Sequence, residues 1–136
     1  MRELRKVFWI CYAIQAVLVL LLAFIIVLLA QGTMAFPASL WIIQVTHFAN
    51  HVACSILTTV KFSRMLKRID PDEHEKIFTL YYMQYGFKAL NHVFGNNKNA
   101  ATKKLLKAFM VSYSLLVAVI FVESAAAFII LSFATM

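Results

Sequence analysis

The fold class this sequence predicts is an all-α integral membrane protein, with three transmembrane helices and one amphipathic interfacial helix between the second and third. Three observations predict it. From Val7 to Gln31 the chain runs 25 residues without a charge, more than the roughly 20 helical residues that cross a hydrocarbon core about 30 Å thick. Two further stretches, residues 38–60 and 106–134, are nearly as apolar. All thirteen lysines and arginines fall within residues 2–6 or 61–107, which three crossings place on one side of a bilayer.

Composition points the same way. The chain has 136 residues, 62% of them hydrophobic, with a mean hydropathy of +0.79. A soluble domain of this size has too little interior to hide that much apolar surface. The apolar runs are continuous and long, whereas barrel strands alternate over about ten residues. In lipid each backbone N–H and C=O needs an internal partner, so the runs must be helices. The net charge of +7 comes from residues flanking the spans, so it reads as topology plus attraction to anionic headgroups. Neither an RNA-binding signature nor a glycine-rich phosphate loop is present, and no nucleic-acid partner is expected.

The chain reads as one membrane domain, 1–136. Residues 1–6 (MRELRK) give a basic start to span 1, residues 7–31. Thr33-Met34-Ala35 loosely fits a small-x-small cleavage site, but the apolar run far exceeds a signal peptide's roughly 7–15 residues, so a retained signal anchor is expected. Residues 32–37 (GTMAFP) form a short uncharged turn, with Pro37 suited to the first turn of the next helix. Span 2, residues 38–60, is apolar on average but carries Gln44, His47, Asn50 and His51. The basic run KFSRMLKR closes it.

Asp70-Pro71-Asp72-Glu73 has the form of a helix start: a capping aspartate, proline at the first position, acids in the first turn. The amphipathic helix expected over about residues 71–94 carries Leu80, Met83, Phe87, Leu90 and Phe94 at spacings of three and four, one partner-facing stripe on a helix lying at the membrane surface. Gly95 and the polar loop after it end that helix. Span 3, residues 106–134, follows. The patch Ser124-Ala125-Ala126-Ala127 beside Glu123, extended by the stripe Ser114, Ala118 and Ala125, is the expected packing face of span 3, since small side chains let helices approach. The one-sided basic residues put the N-terminus and residues 61–107 in the cytoplasm or matrix and the C-terminus opposite. Trp9 and Trp41 then lie near opposite interfaces.

Glu123 is the most informative single residue. A carboxyl group deep in lipid must be protonated, paired or facing water. It is either a proton or cation site or a polar contact to another helix. Counting 1.5 Å per residue from the basic end puts Glu123 and Gln44 both about 24 Å up, His47 about 20 Å, His51 about 13 Å and Gln15 about 12 Å. Gln44 and His47 are therefore the candidate partners of Glu123, while Gln15 shares a layer with Asn50 and His51.

His47 and His51, four apart, share one helix face. They are the candidate haem or metal ligands, but HFANH lacks the glutamate of a zinc-protease HExxH motif and no third ligand is evident. Neutral histidines bonded to neighbours are the simpler reading, and no cofactor is predicted. Cys11 and Cys54 lie inside apolar spans without CxxC spacing and read as small packing residues. Ser39, Ser55 and Ser112 read as helix–helix contacts. No catalytic constellation can be assembled, so no enzymatic activity of its own is expected.

Three function classes remain. The leading one is an accessory or scaffold subunit of a larger membrane complex, with lipids and other membrane subunits as partners. The second is a self-assembling channel or transporter using Glu123 and His47. The third is a redox anchor holding haem through His47 or His51.

Overall fold

The computed structural model describes residues 1–78 and 99–134. Four helices are seen there: α1 (Arg2–Ala30), α2 (Phe36–Ile69), α3 (Pro71–Lys76) and α4 (Ala100–Ala134). The architecture is all-helical, and α1, α2 and α4 are each long and apolar enough to cross a membrane. Such a set is compatible with an integral, multi-pass membrane protein.

Each helix end has a local cause. At the end of α1, Gly32 takes φ 71°, a left-handed conformation that glycine adopts without penalty. Gly32 N donates to Leu29 O at 3.0 Å and Thr33 N to Leu28 O at 3.1 Å, the paired bonds that satisfy the last carbonyls of a helix. Ala35 is extended and Pro37 sits in the first turn of α2, where its missing N–H costs nothing. Asp70 ends α2 and caps α3, its Oδ1 accepting from Glu73 N at 3.1 Å. Its Oδ2 accepts from Thr102 Oγ1 at 2.9 Å, which ties this corner to the start of α4.

Pairings across the bundle fix direction. Glu3 forms an ion pair with Lys61, and Gln15 meets Asn50, so α1 and α2 are antiparallel. Ser55 meets Tyr113, and Gln44 meets Ser124, so α2 and α4 are antiparallel too. Each long helix packs on both others, giving a three-cornered bundle in which α1 and α4 run the same way.

All three helices outrun their apolar spans at the same end. α1 begins at Arg2, α2 runs on through residues 61–69, and α4 starts at Ala100. The extension is amphipathic, so Leu4, Phe62, Leu66, Leu105 and Leu106 turn inward while the charges point out. With Phe8 and Phe109 they form the larger of two buried clusters. Phe62 stacks on Phe109 with ring centroids 4.1 Å apart. A smaller cluster of Ile25, Ile43, Ala127 and Leu131 fills the other end. Trp9 and Trp41 both face outward, 66% and 71% exposed, and lie toward opposite ends of the antiparallel pair.

The packing face of α4 meets the sequence expectation in part: Ala127, in the small patch after Glu123, is buried and Ser124 bonds to Gln44, but the longer stripe faces away. Ser114, Ala118 and Ala125 are exposed, while Leu116, Ile120, Ala127 and Leu131 are buried. At about 100° per residue the two sets lie on opposite sides of the helix. Branched side chains fill the wide interior of a three-helix bundle, and this leaves the small stripe on the outer face. The amphipathic helix expected over about residues 71–94 is described only at its beginning, as α3 with its Asp70 cap. Leu80, Met83, Phe87, Leu90 and Phe94 lie outside the described residues.

Candidate functional site

Between the two apolar clusters runs a chain of polar side chains that joins all three long helices. The Cys54 thiol donates to Asn50 Oδ1 at 3.2 Å. Asn50 Nδ2 donates to Gln15 Oε1 at 2.5 Å, and Gln15 Nε2 donates to Glu123 Oε2 at 2.5 Å. Every link donates in the same sense, from α2 through α1 to α4. Amides carry one donor end and one acceptor end, so Asn50 and Gln15 can pass the direction along, and a carboxylate can end it. Aligned bonds of this kind polarise one another in a low-dielectric interior. Gln15 is 1% exposed and Asn50 7%, so water cannot replace these partners without opening the bundle.

The partner of Glu123 is therefore Gln15. Gln44, the expected candidate at the same depth, pairs one residue further along α4: its Nε2 donates to Ser124 O at 3.3 Å, and its Oε1 accepts from Ser124 Oγ at 2.6 Å. Helical side chains slope toward the N-terminus of their helix. Glu123 thus reaches down α4 toward the level of Gln15, while Ser124, too short to slope far, stays beside Gln44. A further contact, Ser55 Oγ with Tyr113 Oη at 2.9 Å, bridges α2 and α4 nearer the basic end. Ser39 bonds within its own helix, to Phe36 O at 2.7 Å. The sequence placed Ser124 in the small packing patch without naming Gln44 as its partner, and gave no signal for Tyr113.

His47 and His51 line a lateral cleft between α2 and α4, with a volume of about 240 Å³, together with Gln44, Phe48, Phe121 and Ser124. His47 is 4% exposed, and its Nδ1 lies 2.9 Å from Ile43 O, one turn back. A carbonyl oxygen only accepts, so Nδ1 carries the proton. In the neutral ring Nε2 then holds the lone pair, and a fixed tautomer of this kind also orients metal-binding histidines. His51 is half-buried one turn along the same wall. Among the described residues no three His, Cys, Asp or Glu side chains gather as a metal site.

Cys11 and Cys54 are both free and buried, on facing turns of α1 and α2. Cys54 does more than fill space, since its thiol starts the hydrogen-bond chain.

The fold and this polar layer define a bundle of three long helices compatible with a multi-pass membrane protein. Compared with known proteins, the chain matches no family model, no curated protein and no solved structure.

Proposed function

We propose that this chain is a small accessory or scaffold subunit of a larger multisubunit membrane complex, inserted by α1, α2 and α4. The observation that carries this reading is the outward-facing stripe Ser114, Ala118 and Ala125. Serine and alanine four apart on a lipid-facing surface let a second helix approach closely. Among the described residues that stripe stays exposed. Meanwhile Gln15, Asn50 and Glu123 hydrogen-bond to one another, and Gln44 to Ser124. These polar groups hold the subunit's own helices in place and leave the small stripe as the surface for a neighbour.

In this reading the N-terminus and residues 61–107 lie on the cytoplasmic or matrix side, near anionic headgroups, and the C-terminus lies opposite. The support is the one-sided distribution of basic residues. Single-cysteine labelling at Asn97 and at Met136 should report opposite sides of the membrane. Labelling of both from one side would overturn the orientation.

Native mass of the detergent-extracted protein, with its partners identified, tests the role itself. A large hetero-complex that Ala118→Leu disrupts is the expected result. A homo-oligomer carrying ion flux in liposomes, lost in Glu123→Gln while assembly persists, would replace the subunit reading by a channel using Glu123 and His47. A haem absorbance band lost in His47→Leu would replace it by a redox anchor.

A further inference from the structure

The cleft between α2 and α4 has a chemistry that the subunit role does not use. Some of its polar groups bond within the bundle. Gln44 and Ser124 bond to each other twice, and His47 donates through Nδ1 to its own helix. The groups left over are the ring nitrogens of half-buried His51 and, on a side chain 4% exposed, His47 Nε2, none of which has a hydrogen bond among the described residues; His47 Nε2 is an acceptor. An occupant that satisfies it must bring a donor. Acyl chains bring none, nor do the ester carbonyls of a phospholipid, whereas a hydroxyl does.

The walls add shape. Phe48 and Phe121 flank the cleft and are 69% and 73% exposed, so both side chains are open to whatever enters sideways. About 240 Å³ is below the usual range for a pocket enclosing a whole drug-sized ligand, so the cleft holds a head and leaves the remainder outside. A second cavity of about 290 Å³ shares Gln44, Phe121 and Ser124 and continues along α4 past Phe128 and Ile129. That continuation is apolar and open to the side.

We infer that this cleft binds a membrane-dissolved lipid whose flat ring carries a hydroxyl, the chemistry shared by sterols and quinols. The hydroxyl donates to His47 Nε2, the ring lies against Phe121 and Phe48, and the hydrocarbon body runs along the groove by Phe128. The inference rests on the membrane placement proposed above but is independent of the subunit role.

The test uses the full chain in phosphatidylcholine nanodiscs with two photoreactive probes, a diazirine sterol and a quinol bearing a diazirine on its tail. The expected result is saturable labelling of the segments around Phe48 and Phe121 by one of them, and which one labels identifies the source. The unlabelled parent alcohol should compete about tenfold better than its O-methyl ether, the effect of one hydrogen bond to an otherwise unsatisfied acceptor. His47→Phe should reduce labelling about tenfold on the same ground, and Ser112→Ala, beside the groove between α1 and α4, should not. Labelling spread evenly over exposed apolar residues, equal competition by alcohol and ether, or no saturable labelling by either probe would overturn the site. A chain that does not enter the disc overturns the membrane placement and the site together. One that enters but shows no hydroxyl preference overturns the site alone.

Discussion

The two ends of the bundle are held together by different means. At the basic end Phe62, Phe109 and Tyr113 stack in series, with centroids 4.1 Å apart for the first pair and 5.5 Å for the second, and Phe8 packs against the same Phe109 at 6.2 Å. At the far end the core is Ile25, Ile43, Leu131 and a fully buried Ala127. Large rings fill a wide interior; an alanine marks a place where helices close in. The basic end also carries charges on its surface, so its interior must exclude water as a soluble core does. In the membrane placement proposed above the far end has no such task, and dispersion between close-packed chains holds it.

Helical circular dichroism during denaturant titration in detergent can break or sharpen this contrast. Phe109→Ala should have the largest effect, about 3 kcal/mol, because it leaves a cavity against three other rings. Ala127→Leu should cost about 2 kcal/mol by overpacking, while the reciprocal truncation Leu131→Ala should leave the basic end folded. Equal tolerance of Leu at 127 and Ala at 109 would erase the distinction between the ends. Gln15→Leu, in the layer between them, should cost about 1–2 kcal/mol. It strips Asn50 and Glu123 of a partner, and interhelical hydrogen bonds in apolar surroundings are modest individually. Lys61→Ala should leave stability unchanged within error, since its pairing with Glu3 lies on the surface. A marked loss there would mean that surface charge, rather than the aromatic core, holds the basic end.

Apolar run length was enough to read three long helices from the sequence, because a backbone in an apolar medium has few other options. Depth counting was informative along the axis and blind around it. It set Gln15 beside Asn50, and these are hydrogen-bonded. It set Glu123 level with Gln44, yet the side-chain slope sends the carboxylate to Gln15 and leaves Ser124 for Gln44. The rotation of α4 was not legible. Ser114, Ala118 and Ala125 have the pattern of a packing face whether that face meets the chain's own helices or another protein, and only the positions of Leu116 and Ile120 distinguish the two. The cleft beside His47 was not legible either, since it needs two helices. The spacing of His47 and His51 indicated only that they share a face.

The one-way hydrogen-bond chain from Cys54 to Glu123 also bears on how the protein is made. The two amides on α1 and α2 emerge from the ribosome well before the acid on α4. Until that last helix arrives, the Gln15 amide lacks the acceptor that Glu123 supplies in the finished fold. A chain lacking α4 therefore leaves that amide, 1% exposed in the finished fold, without the partner that satisfies it. Arrival of the carboxyl group completes the chain of bonds, so the polar layer closes only when the last helix docks.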